Sequence, residues 1–135
     1  MEQIPSFNAL IQKSVIDNWD RDALTDFKGQ TLQFHDVARK IEKLHILFEN
    51  SGIQKGDKIA MCGRNSSQWA VAFIATLTYG AIAVPILHEF NAEQIHNIVN
   101  HPRPVYYSWA IMWQRSSILR RCPPSKESST IPIIP

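Results

Sequence analysis

The stretch Lys55 to Pro85, KGDKIAMCGRNSSQWAVAFIATLTYGAIAVP, constrains this chain more than any other. Lys58–Cys62 reads as a short buried strand and Gly63-Arg64-Asn65-Ser66-Ser67 as a polar turn. Gln68–Tyr79 reads as a helix, and Ala81–Ile86, after Gly80, as the next strand. Two apolar strands joined through a helix form a βαβ unit, because parallel neighbours need a long crossover. The helix carries Trp69, Val71, Phe73, Ile74 and Leu77 around its circumference, with alanines between them. A helix apolar on all sides is a buried helix. The unit cannot cover its own apolar surface, so the sequence points to a piece of something larger.

The flanking segments supply partners. Ser6–Asn18 has Phe7, Leu10, Ile11 and Val15 at helical spacing. Asp22–Phe27 suits a short strand, with Lys28-Gly29 as a turn into Gln30–Leu32. From Phe34 to Asn50 one helical face holds Phe34, Val37, Ala38, Ile41, Leu44 and Phe48, and the other is charged. Gly52-Ile53 then gives the glycine and following apolar residue of a Schellman ending. Gln54–Asp57 is a tight turn. Asn91 starts a last helix with Gln94 in capping-box position and Ile95, Ile98 and Val99 facing inward. Right-handed crossovers place the strands in one parallel sheet with helices on its faces. The expected class is α/β: a partial parallel sheet flanked by helices, followed by a tail without a native fold.

That tail is set apart by composition. Residues 1–101 hold nine Lys/Arg against eleven Asp/Glu, whereas residues 102–135 hold five against one. The tail has six of the eight prolines, two of the four tryptophans and none of the five glycines. Two compositions meet at about residue 101, which sets the expected units as 1–101 and 102–135.

Cys62 and Cys122 are the cysteines, too few and too scattered for a disulfide scaffold or a zinc site. MEQIPSFNAL has neither the basic start nor the apolar stretch of a signal peptide. No apolar run approaches the ~20 residues of a membrane span. A cytoplasmic setting is the expectation.

Candidate chemistry is sparse. Gly63–Ser67 lies between a strand's carboxyl end and a helix N-terminus, where α/β proteins bind anions. Arg64, Asn65 and Ser66 are therefore the candidate cofactor-binding residues, against the plainer reading of a structural turn with a serine cap. His88-Glu89 suits acid/base work or simply a polar strand-exit loop. His96 and His101 are badly spaced to share a metal on one helix face. Tyr106, Tyr107, Trp109 and Trp113, with Arg115, Arg120 and Arg121, imitate a tail that binds nucleic acid or a membrane. No catalytic residue and no metal ligand is assigned.

The ordered set Gly52, Gly56-Asp57, Asn65-Ser66, Trp69, Gly80-Ala81 and Val84-Pro85 resembles the N-terminal part of the AMP-forming acyl-CoA synthetases and their adenylate-forming relatives, over roughly residues 1–101. ILHEFNAEQIHNIVNH is most similar to the long-chain fatty acid–CoA ligase branch. The resemblance implies a full-length enzyme that activates a carboxylic acid, here a fatty acid, with ATP and magnesium, then passes the acyl group to coenzyme A. The family's Ser/Thr/Gly-rich phosphate loop is missing from these residues; Ser128-Ser129-Thr130 has no glycine near it. The aromatic–acid–threonine motif, the ribose-binding aspartate and the C-terminal lysine of the family are missing too.

After His101 the family continues into an apolar strand. A back-translation of residues 101–113 with one base inserted after the His101 codon reads HSEARLLFVGDNV, which has that strand. The tail is thus expected to be an out-of-frame translation, and the chain an inactive fragment that needs no cofactor and has no specific nucleic-acid partner. Exposed apolar surface would make it marginally stable and prone to self-association. The alternatives are a small nucleotide-binding module built on Gly63–Ser67, or an interaction protein working through its basic aromatic tail.

Overall fold

Alternation along five residues sets the architecture. In β3 (Lys58–Cys62), Ile59 and Met61 point to one face and are fully buried (0 % exposed), while Ala60 points to the other at 4 %. A strand apolar on both faces belongs in the middle of a covered parallel sheet. The computed structural model, which describes residues 5–99 and 105–107, places it there, between two other strands. β4 (Ile82–Ile86) and β5 (Val105–Tyr107) both run parallel to β3, with Lys58 opposite Ile82 on one side and Val105 on the other. Pro85 lacks an N–H for a ladder and sits on β4, next to a single strand among the described residues.

The preceding elements are α1 (Phe7–Asp17), the antiparallel pair β1 (Asp22–Thr25) and β2 (Thr31–Gln33), and α2 (Phe34–Asn50). α3 (Ser67–Tyr79) links β3 to β4, and α4 (Ala92–Val99) links β4 to β5. Ile59 and Met61 share a core with Val71, Ala72 and Ala75 of α3, and α2 closes that core with Val37, Ile41 and Phe48. Ala60 instead packs with Ile86 of β4 and Ile95 of α4. The two crossover helices thus lie on opposite faces of the sheet.

Local chemistry ends the helices where expected. After α2, Gly52 (φ 74°) takes the left-handed conformation and Ile53 N–H donates to Phe48 O at 3.0 Å. Gly80 (φ 89°) repeats the arrangement after α3, with Ala81 N–H donating to Thr76 O at 3.1 Å. With the bonds from Gly52 N–H to Glu49 O and from Gly80 N–H to Leu77 O, at 3.0 and 3.1 Å, these make the paired bonds of a Schellman ending, whose left-handed residue glycine adopts without strain. Asn91 and Gln94 form a reciprocal capping box, their bonds 3.0 and 2.9 Å long. Tyr79 ties the two glycine endings together: its hydroxyl donates to Ile53 O at 2.8 Å and its ring meets Phe48 edge-on. Burial, aided by Glu49 and Asp57, pushes the Tyr79 phenol above its ordinary value.

Some expectations need adjusting. α1 buries no residue; Ile11 and Val15 are half-covered, while Phe7 and Leu10 remain 45 % and 48 % exposed. The first strand stops at Thr25, so Asp26 and Phe27 belong to the turn. Val105–Tyr107 lies beyond the composition break yet forms β5. A Val-Tyr-Tyr triplet has the branched and aromatic side chains that strands favour, whatever the origin of the surrounding tail. The readings made on His101, Trp109, Trp113, Arg115, Arg120, Arg121, Cys122, Ser128, Ser129 and Thr130 lie outside the described residues, as do those on the side chains of His96, Val99, Tyr106 and Tyr107.

Trimming Ile59 to alanine removes buried contacts on the inner face of β3 and is expected to cost about 2–5 kcal/mol. Ile82→Ala on the outer strand, 48 % exposed, is expected to cost less than about 1 kcal/mol. Chemical denaturation of the two variants checks the difference; equal losses would contradict the central placing of β3.

Candidate functional site

Adjacent parallel strands whose exit connections leave on opposite faces open a crevice at their carboxyl ends. β3 exits toward α3 and its neighbour β4 exits toward α4 on the other face, so these two strands make such a point. A cleft of about 380 Å³ lies there, with Gly63, Arg64, Asn65 and Trp69 on the β3 side and Pro85 to His88 on the β4 side. Its size falls in the usual range for small-molecule sites.

Two of the three candidate residues, Arg64 and Asn65, line this cleft, and both are exposed. Ser66 has a different position. It is the N-cap of α3, in extended conformation, and its Oγ accepts from Trp69 N–H at 3.2 Å. The serine-cap reading thus describes its hydroxyl. Trp69 stacks on Phe73 one turn further along α3, centroids 5.3 Å apart and planes within 10°, which gives the cleft a flat aromatic wall. His88 joins the opposite lip, with Nε2 4.0 Å from Glu89 Oε1. Glu89 is 80 % exposed, so this contact is a weak surface pair.

Sequence reading missed the residue that holds the turn. Asp26, the first residue of the turn after β1, reaches across 41 positions to the first residue of α3: Oδ1 accepts from Ser67 N–H at 2.6 Å and Oδ2 from Ser67 Oγ at 2.7 Å. These bonds to Ser67, the backbone one foremost, hold the Asp26 carboxyl below its ordinary value. A carboxylate at a helix N-terminus also meets the positive end of the helix dipole. The consequence for chemistry is direct. Ser67 N–H and Ser66 Oγ are engaged within the chain, so an anion entering the cleft meets Arg64 rather than those groups.

No group of three or more His, Cys, Asp or Glu among the described residues could hold a metal ion. No described helix is long and apolar enough to cross a membrane.

Asp26→Ala is expected to cost about 1–2 kcal/mol at neutral pH, the scale of a lost cap. Because the folded carboxyl is held low, the wild-type advantage is complete above the unfolded value of about 3.9. It fades as pH falls through the lower folded value. Denaturation of both proteins between pH 7 and 3 checks this; an advantage that grows on acidification would contradict it.

Residues 11–123 match the family described as AMP-binding enzyme. A long-chain-fatty-acid–CoA ligase of Bacillus subtilis (strain 168) is 30 % identical over 98 residues, covering 67 % of this chain and 17 % of the ligase. The N-terminal subdomain of Klebsiella oxytoca NpsA superposes with a TM-score of 0.67 at 17 % identity, over 77 % of this chain and 31 % of that one. Coronafacic acid ligase from Pectobacterium brasiliense gives 0.69 at 20 % identity, over 74 % of this chain and 20 % of the ligase. At these identities the two solved structures share the fold. The chain spans under a third of each of these three proteins.

Proposed function

The chain belongs to the AMP-binding enzyme family, and from that premise we propose that residues 1–101 are the opening part of an AMP-forming acid–thiol ligase. The observation that carries this reading is the family match over residues 11–123 on a sheet whose β3–β4 crevice is already formed. The substrate we assign to the complete enzyme is a long-chain fatty acid, activated by ATP with magnesium and transferred to coenzyme A. The similarity to the Bacillus subtilis long-chain-fatty-acid–CoA ligase supports that choice.

In this reading the described residues supply scaffold and one wall of a substrate site. Arg64 offers a guanidinium to an anionic group, Asn65 offers hydrogen bonds, and Trp69 offers a face for a flat ring or an acyl chain. The groups that clasp ATP phosphates in the family are not among these 135 residues. The polypeptide as it stands therefore performs no adenylation. Residues 102–135 are read as an out-of-frame tail, on the strength of their composition and of one choice of codons for residues 101–113 in which an inserted base gives an apolar strand. The setting of the enzyme is taken to be the cytoplasm.

Incubating the 135-residue chain with palmitate, ATP, magnesium and coenzyme A is expected to release no AMP, and ATP titration is expected to give no saturable heat. AMP release would overturn the assignment of inactivity. Saturable ATP binding at one site per chain would favour a stand-alone nucleotide-binding module instead.

A further inference from the structure

The Asp26–Ser67 bonds join two parts of the chain far apart in sequence: the β1–β2 turn and the start of α3. The turn is built around the aspartate. Asp26 N–H donates to Gln30 O at 3.0 Å, and Asp26 O accepts from Gly29 N–H at 2.9 Å. A Cβ on Gly29 would stand 2.9 Å from the Asp26 Cβ, closer than real contacts allow, so glycine is what lets the carboxylate keep its place. On the other side, Ser67 is 4 % exposed and follows directly on the Gly63–Ser66 turn. Both acceptor oxygens of Asp26 thus converge on the one residue that anchors the wall bearing Arg64 and Asn65.

We infer that Asp26 is a positioning residue for the cleft: by clamping Ser67 it fixes the Gly63–Ser66 turn, and with it the direction from which Arg64 and Asn65 meet a ligand. The functional half of this statement rests on the proposed role of the cleft; the clamp itself does not. Without the carboxylate, Ser67 loses these two acceptor contacts, and the turn is left with the bonds Ser66 makes to α3: its Oγ from Trp69 N–H at 3.2 Å and its carbonyl from Ala70 N–H at 3.0 Å. A turn free to sample several conformations orders on binding at an entropic cost, which weakens affinity without touching a ligand contact.

The test is residue-resolved NMR on the 135-residue chain, with no ligand present. A backbone N–H bonded to a carboxylate at this distance gives a strongly downfield Ser67 amide in the wild type. In Asp26→Ala that signal moves upfield, and the Gly63–Ser67 amides exchange with solvent roughly five- to thirty-fold faster, while amides of β3 and α2 follow only the global stability. Asp26→Asn keeps one oxygen for the Ser67 N–H and restores part of the protection. Gly29→Ala leaves the carboxylate in the chain but displaces it, and reproduces the Asp26→Ala pattern in weaker form. A Ser67 signal unchanged in Asp26→Ala overturns the inference, as does faster exchange spread evenly over the whole chain. Because no ligand enters the measurement, failure of the cleft as a substrate site would leave these outcomes as they are.

Discussion

The burial of β3 on both faces is the constraint on which the other features depend. Ile59 and Met61 need a cover on one side and Ala60 on the other. Two crossover helices on opposite faces meet both needs, and right-handed connections do so by sending β3 and β4 outward in different directions. The crevice between their carboxyl ends is a by-product of that arrangement. No residue is required to carve it. Arg64, Asn65 and Trp69 acquire their setting from topology first and from their own chemistry second.

What could be read from the sequence was what local chemistry controls. The α2 helix, the serine cap that starts α3, the glycine endings at Gly52 and Gly80 and the Asn91–Gln94 box each depend on residues within a few positions of one another; of the apolar ring on α3, only Val71 is buried, and Trp69, Phe73, Ile74 and Leu77 are half-buried. The Asp26 clamp depends on a partner 41 positions away, and a lone aspartate after a short strand carries no periodicity to mark it. The one local hint was a glycine three residues on, which the turn accounts for equally well. The exposed side of α1 was hard to read for another reason: Phe7 and Leu10 have helical spacing, but spacing cannot say whether a covering surface is present.

The candidate site was legible in outline. Arg64 and Asn65 do line the cleft, and Ser66 does cap the helix that begins there. The far wall, Pro85 to His88, follows from sheet order rather than from any motif, so a linear reading could not join it to the near one. The family was legible through the order of weak signals, Gly56-Asp57, Asn65-Ser66, Gly80-Ala81 and Val84-Pro85. Of these, Ser66 caps α3 and Gly80 ends it.

The central claim, that residues 1–101 open an AMP-forming ligase whose catalytic parts are encoded beyond them, is tested most directly by sequencing the genomic DNA across the His101 codon and onward. The account predicts that one additional base restores an open frame, which continues through an apolar strand to a Ser/Thr/Gly-rich phosphate loop. A coding sequence that specifies residues 102–135 as they stand, with no such loop in any frame downstream, would contradict it.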